Sequence, residues 1–76
     1  MDSRESIRKM LYDTHTSQTK LAQMLGKRQG AIASYLVRSI TIDKLVKVAD
    51  ILGFDIIFRN RNTSETWILT EAGDDE

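Results

Sequence analysis

Residues 17–36, SQTKLAQMLGKRQGAIASYL, decide the fold, because they have the pattern of two short helices joined by a glycine turn. The first helix is predicted over 18–25, where apolar residues recur at the three- and four-residue spacing of one helix face: Leu21, Ala22 and Leu25. Gly26 ends it, since glycine adopts the left-handed conformation of a helix C-terminus without steric cost. The small side chain of Ala22 lets another helix cross closely.

The second helix of this stretch is predicted over 29–37. Its apolar face is formed by residues at positions i, i+3 and i+4: Ile32, Tyr35 and Leu36. Two short helices joined by a glycine-containing turn form a helix-turn-helix, whose second helix can enter the major groove of DNA. The outer face of helix 29–37 is therefore the candidate binding surface.

Further helices are predicted on both sides of this stretch. Asp2 and Glu5 have the spacing of a capping box, and a helical stripe follows over 3–13: Ile7, Met10 and Leu11. Thr41 is a suitable N-cap for a fourth helix over 42–52, whose stripe is Ile42, Leu45, Ala49 and Leu52. The chain thus begins with four predicted helices.

The period of the apolar residues changes from 3.6 to 2 after the fourth helix, which is typical of strands. Strands are predicted over 54–59 and 65–70, joined by a polar turn. If Asn60 pairs with Glu65, the large apolar side chains collect on one face of this hairpin: Phe58 opposite Trp67 and Ile56 opposite Leu69. The sequence therefore predicts a mainly α fold with a C-terminal β-hairpin.

Length and composition predict one small domain. The chain has 76 residues and no cysteine, so the packing of apolar side chains must stabilise it. We expect a helical DNA-binding unit over 1–53, a β-hairpin over 54–70 and an acidic, disordered tail over 71–76. No apolar run is long enough for a membrane helix and the N-terminus is polar, so we expect a cytoplasmic protein with no membrane partner.

The charge is unevenly distributed, although its sum is zero. Residues 1–61 hold all 11 lysines and arginines against six acids, a net charge of +5, and residues 62–76 carry the compensating −5. Residues 14–42 contain no acid and four basic side chains: Lys20, Lys27, Arg28 and Arg38. A local positive field can bind phosphate even on a neutral molecule. The alternative is a solvated face that happens to lack acids.

The quoted stretch resembles the Cro and phage-repressor (XRE) family of helix-turn-helix proteins. That family has Gln-x-x-Leu-Ala-x-x-x-Gly followed by Gln and Ile on the second helix, and the matching residues here are Gln18, Leu21, Ala22, Gly26, Gln29 and Ile32. The similarity covers about residues 3–56. It implies a lambda-repressor-like four-helix domain that binds DNA and regulates transcription, with a β-hairpin in place of the family's fifth helix.

The resemblance also implies which residues meet base edges. Family members contact bases from the positions of Gln29, Gly30 and Ser34. The Gln29 amide can pair with adenine N6 and N7, and Arg28 beside it can reach guanine O6 and N7. Gly30 has no side chain, so either a base lies close to its backbone or this position adds little specificity.

Phosphate contacts are predicted around the start of helix 18–25. The family's phosphate contact falls on Gln18, where helix amides and dipole also favour an anion. The positive charge of Lys20 is unfavourable in the first turn of a helix, and a nearby phosphate would compensate for this cost. Lys20 is therefore a candidate phosphate contact beside Gln18. The lesser candidates, for each of which a plain exposed role is an equal alternative, are Thr16, Thr19, Lys27, Arg38 and Lys44.

The motif departs from the family pattern at two positions. Arg28 replaces the usual serine or threonine, so helix 29–37 begins without a good N-cap. Leu36 replaces a frequent glutamate, and this removes that residue's pairing with an arginine of the first helix. The helix-turn-helix is still expected, but these departures leave open the exact orientation of helix 29–37 in the groove.

The hairpin carries apolar residues on both faces. It either packs on its own helices or pairs with a second copy to form a continuous sheet, and apolar groups on both faces favour the second alternative. The predicted dimer interface is Ile57, Phe58, Trp67, Ile68 and Leu69. A two-fold dimer would hold two recognition helices about 34 Å apart, matching the half-sites of an inverted repeat. This arrangement resembles antitoxins of the family that end in a dimerising strand.

Three classes of function compete. The first is a homodimeric repressor of a phage or mobile element, or an antitoxin that acts on its own operon and binds a cognate toxin. The second is a protein-interaction module without a DNA role, since fold alone does not establish function. An enzyme is not expected, because His15 is the only histidine and has no partner nucleophile. No catalytic residue, cofactor or metal site is expected either.

Overall fold

The protein folds as four helices followed by a two-stranded antiparallel hairpin, and the computed structural model describes residues 1–70. Its elements are α1 (Ser3–Asp13), α2 (Gln18–Leu25), α3 (Gln29–Tyr35), α4 (Ile42–Leu52), β1 (Ile56–Arg59) and β2 (Thr66–Leu69). The predicted fold class, mainly α with four helices and a C-terminal hairpin, is confirmed. The tail predicted over 71–76 lies outside the described residues. Every helix described is too short or too polar to cross a membrane.

Side chains at the helix starts bind amide groups that the helices leave free. The predicted capping box of α1 is present: the Glu5 amide donates to Asp2 Oδ1 at 3.0 Å, and the Asp2 amide donates to Glu5 Oε1 at 3.2 Å. The Arg4 guanidinium, 2.7 Å from Asp2 Oδ2, and the Glu5 amide lower the pKa of Asp2 to about 2. Ser17 and Thr41 cap α2 and α4 through their hydroxyl groups.

The core lies where the four helices meet. Each helix contributes one side chain that is almost completely buried, and these are Ile7, Leu21, Ile32 and Val48. Partly buried residues surround them, including Phe54 and Ile56 from the chain after α4. Because every helix supplies one residue to this centre, the position of α3 depends on the packing of all the others.

Helix α3 ends at Tyr35, two residues before the predicted end. The amides of Leu36 and Val37 donate three residues back, to the Ala33 and Ser34 carbonyls at 3.1 and 3.3 Å, which interrupts the four-residue pattern of an α-helix. Beyond these residues, α1 binds two groups that a continuing helix would pair with each other. Arg8 Nη2 donates to the Leu36 carbonyl at 2.6 Å, and Ser3 Oγ accepts from the Ile40 amide at 3.3 Å. Hydrogen bonds from α1 therefore take the place of a further turn of helix.

The hairpin has the predicted register. Phe58 lies opposite Trp67, and Ile56 lies opposite Leu69. The Phe58 and Trp67 rings are stacked, with their centroids 5.8 Å apart. Ile56 and Leu69, nearer the helices, are half-buried, so one end of this face rests on the domain while the other end projects from it.

Both strands are shorter than predicted: β1 begins two residues later, and β2 is one residue shorter at each end. The turn itself closes as expected, with the Asn60 amide donating to the Glu65 carbonyl at 2.8 Å. Phe54, predicted to begin the first strand, belongs to the end of α4 instead, because its amide donates to the Ala49 carbonyl at 2.8 Å. Its ring packs against the core, and this packing outweighs the alternating pattern.

Candidate nucleic-acid interface

The turn between α2 and α3 is held by backbone hydrogen bonds around a left-handed glycine. Gly26 has a φ of 68°, and the amides of Gly26 and Lys27 donate to the Gln23 and Ala22 carbonyls at 3.2 and 2.8 Å. This is the Schellman arrangement that ends many helices. It fixes the main chain at Lys27, so this side chain leaves the protein from a defined point beside the start of α3.

Helix α3 turns its large apolar side chains inward and leaves two polar side chains and several small residues outside. Ile32 and Tyr35 are buried. The exposed positions lie at its start and on its opposite side, and these are Arg28, Gln29, Gly30, Ala31 and Ala33. Three of the four predicted base contacts are therefore accessible. Arg28 occupies the N-cap without a side-chain hydrogen bond to the helix, as the sequence predicts.

Ser34, the fourth predicted base contact, is less available than the other three. It is half-buried, and its hydroxyl donates to the Ala31 carbonyl at 2.7 Å. Because its proton is used inside α3, the hydroxyl has only lone pairs to offer a ligand. Ser34 can therefore accept a hydrogen bond from the amino group of adenine or cytosine, but it has no free donor for guanine.

The predicted phosphate contacts occupy three places around α3. Gln18, Thr19 and Lys20 form the first turn of α2, Lys27 lies in the turn, and Arg38 and Lys44 follow α3. All of these are exposed except Gln18, which is half-buried. Thr16, the remaining candidate, is half-buried and its hydroxyl lies 2.8 Å from Thr14 Oγ1, so it already has a partner in the loop.

The cations of this surface have no acidic partner within the described part of the chain. The two ion pairs among residues 1–70 are both on or next to α1, between Arg4 and Asp2 and between Lys9 and Asp13. Lys20, Lys27, Arg28, Arg38 and Lys44 belong to neither. Their charges therefore remain available to an external anion.

Arg8 is a residue of this region that the sequence pattern did not single out. Its guanidinium binds the main-chain carbonyl of Leu36 at the end of α3. The side-chain pairing that a glutamate would make is absent at Leu36, and the arginine binds the main-chain carbonyl of the same residue instead. This bond holds the end of α3 against α1 and so helps to orient its exposed face.

Replacing Gly30 by alanine should raise the free energy of unfolding by about 0.5 kcal/mol, because alanine favours helix and restricts the unfolded chain. A Cβ atom at Gly30 would meet nothing within 4 Å, and the backbone there is not left-handed. Gly26→Ala is the matched control: a Cβ also has room, but the φ of 68° should make this change destabilising by about 1 kcal/mol. Urea unfolding measures both, and equal shifts in the same direction would contradict this assignment of the two backbones.

Comparison with known proteins adds no assignment to this surface: no family model, curated protein or solved structure matches the chain. The resemblance to phage repressors therefore depends on the sequence pattern alone, and its motif lies in α2, the turn and α3. Within residues 1–70, no three His, Asp or Glu side chains are grouped closely enough to hold a metal ion. The exposed side of α3 and the unpaired cations around it form the surface of residues 1–70 that best matches a defined class of ligand, a polyanion.

Proposed function

We propose that this protein is a sequence-specific DNA-binding regulator that reads the major groove with α3 as a homodimer. The observation that carries this proposal is the exposed surface formed by Arg28, Gln29 and Gly30 at the start of α3, next to a rigid turn. An α-helix is about 10–12 Å across with its side chains, so it fits a major groove about 12 Å wide. Small residues on its outer side allow close approach.

The electrostatics of this surface support binding to a polyanion. Residues 14–42, which include the whole helix-turn-helix, contain no acid, and their lysine and arginine side chains are all exposed. Each phosphate that such a cation neutralises releases counterions, so binding should weaken steeply as salt rises. This effect provides affinity on any sequence, whereas Gln29 and Arg28 provide the preference for particular bases.

Alanine variants of Gln29 and Arg28 test the proposal. Fluorescence anisotropy with the duplex that lies directly upstream of the gene should show a roughly 5- to 100-fold loss of affinity for Gln29→Ala and for Arg28→Ala. Gln23→Ala is the control, since it removes an exposed glutamine from α2 outside the proposed surface. Unchanged binding in both α3 variants would reject the assignment of base contacts. Affinity that is independent of salt would favour a protein-interaction module instead.

The hairpin is the proposed dimerisation element. Ile57 and Ile68, which pair across the two strands, are 60% and 52% exposed, and on the other face Phe58 and Trp67 are 43% and 51% exposed. An isolated two-stranded hairpin is marginally stable in water, and clustered apolar side chains of this kind mark interaction sites. A second copy that covers them would bring two recognition helices onto one face of the DNA.

A further inference from the structure

A groove of about 350 Å³ lies between the α2–α3 turn and α4, and lysines surround it. Lys27 comes from the turn, whereas Lys44 and Lys47 come from α4. Tyr35, at the end of α3, forms part of its wall, and one acid, Asp43, lies at its edge. We call this site the lysine groove. Its volume is in the range of pockets that hold small organic or phosphorylated groups.

Local structure fixes the main chain at two of the three lysines. The Lys27 amide donates to the Ala22 carbonyl at 2.8 Å, and the Lys44 amide donates to Thr41 Oγ1 at 3.3 Å. Lys44 Nζ lies 5.9 Å from the centre of the Tyr35 ring, within the range of a cation–π contact. The three lysines thus start from well-defined elements and line one space.

The charge of the lysine groove is not compensated internally. Three lysines and Asp43 give it a net charge of +2. None of these four residues takes part in either of the two ion pairs found among residues 1–70. Like charges held close together repel one another, and a bound anion relieves this repulsion.

Tyr35 supplies a neutral hydrogen-bond donor beside the three lysines. The residue is only 6% exposed, yet its hydroxyl makes no hydrogen bond with any residue in the described range 1–70. Every completely buried polar side-chain atom in this range has a hydrogen-bond partner. Because the Tyr35 oxygen has none, it must be in contact with solvent. The ring lines the lysine groove, so the hydroxyl is a donor available in it. A hydroxyl that no protein group binds keeps its proton free to donate to a ligand in the groove.

We propose that the lysine groove binds a phosphate group. Lysine ammonium groups are common ligands of phosphate, and a neutral O–H donor completes such a site without adding charge. The phosphate belongs either to a DNA backbone, in which case the site extends the proposed interface beyond α3, or to a small phosphorylated molecule. The first source rests on the proposed function, whereas the second does not. Lys47 and Tyr35 are the residues that this site adds.

Titration with pyrophosphate tests the site without DNA. NMR of the full chain at low salt should show saturable shifts of the side-chain ammonium signals of Lys27, Lys44 and Lys47, with that of Lys9 on α1 as the internal reference. Lys47→Gln should weaken the apparent affinity about fivefold or more. Tyr35→Phe, which keeps the ring in the core, should weaken it about twofold to tenfold. An absence of saturable shifts in the lysine groove would overturn the proposal.

Anisotropy with duplex DNA distinguishes the two sources of phosphate. If the DNA backbone occupies the groove, Lys47→Gln should weaken binding about five- to tenfold at about 0.1 M salt on specific and random duplexes alike. It should also reduce the slope of log affinity against log salt by about 0.9 for each phosphate that the variant no longer neutralises. Lys9→Gln removes the same charge from α1 and is the control.

The outcomes separate this site from the proposed function. Pyrophosphate binding together with a reduced salt slope supports the DNA backbone as the ligand. Pyrophosphate binding with an unchanged slope supports the site and assigns it to a small phosphorylated molecule. A wild-type protein that binds pyrophosphate but no DNA would reject the proposed function and support the phosphate site. A protein that binds DNA but shows no pyrophosphate shifts in the lysine groove would support the proposed function and reject the site.

Discussion

Replacing Ile32 by alanine should lower the free energy of unfolding by about 2–5 kcal/mol. Ile32 has no exposed surface and lies at the centre of the four-helix core, so its truncation leaves a cavity that the neighbouring side chains fill only in part. A domain of this length is typically stable by roughly 4–11 kcal/mol. The substitution therefore removes a large share of the total and leaves a substantial unfolded population at moderate temperature.

Urea unfolding followed by circular dichroism measures this loss. Ile32→Val removes one methyl group at the same place and should cost about 0.5–1.5 kcal/mol. Ala33→Ser changes the exposed neighbour and should stay within about 0.5 kcal/mol of the wild type. If Ile32→Ala cost no more than Ala33→Ser, α3 would not be packed through Ile32. The exposed face of α3 would then have a different orientation.

Most of the fold follows from local patterns in the sequence. The capping box at Asp2, the apolar stripes and the left-handed Gly26 each involve residues within a few positions of one another, and each is present in the structure. The hairpin register was also predictable, because the apolar side chains have one pairing that places them on the same face. Local chemistry and the global fold agree at these points.

The differences arise where distant residues compete with local preferences. Arg8 and Ser3 bind main-chain groups that are 28 and 37 residues away, and they hold the chain after α3 in place of a further turn of helix. Phe54 alternates with its neighbours like a strand residue, but its amide and ring complete the end of α4. No pattern within a short window contains this information, since it depends on how α1 and α4 pack.

Some features of the candidate site also follow from the local sequence pattern, whereas others depend on the folded structure. The exposure of Gln29 and Arg28 follows from the helical period, because Ile32 and Tyr35 occupy the opposite side. The internal hydrogen bond of Ser34 and the position of Lys27 beside Lys47 in the lysine groove depend on atomic positions in the folded chain. Sequence alone therefore indicates which surface faces a ligand and gives only part of its chemistry.

Replacing Ile57 by lysine and Ile68 by glutamate should convert the proposed dimer into a monomer. These two residues lie directly opposite each other in the hairpin and are the more exposed of its apolar pairs. The introduced charges would face one another across the strands and keep the hairpin paired, whereas burying them against a second copy would be costly. The stacked pair Phe58 and Trp67, on the other face, is left intact.

The loss of DNA affinity should be larger for this variant than for any single change on α3. Two linked recognition helices gain roughly 10²- to 10⁴-fold in affinity over one, because the second binds from an effective concentration set by the first. The double variant should therefore bind a duplex with two half-sites at least about 100-fold more weakly. Its affinity for a single half-site should change little, because the surface of α3 is untouched.

Sedimentation at micromolar concentration measures the oligomeric state of the wild type and of the charged double variant, and circular dichroism checks that both are folded. Ile57→Val with Ile68→Val is the matched control: it keeps the face apolar and should remain a dimer. A wild-type protein that sediments as a monomer would contradict the assignment of the hairpin to a second copy. A charged variant that is folded, still dimeric and still tightly bound would move the interface to another surface. Weak binding by a folded monomer would instead link the exposed hairpin directly to affinity for paired half-sites.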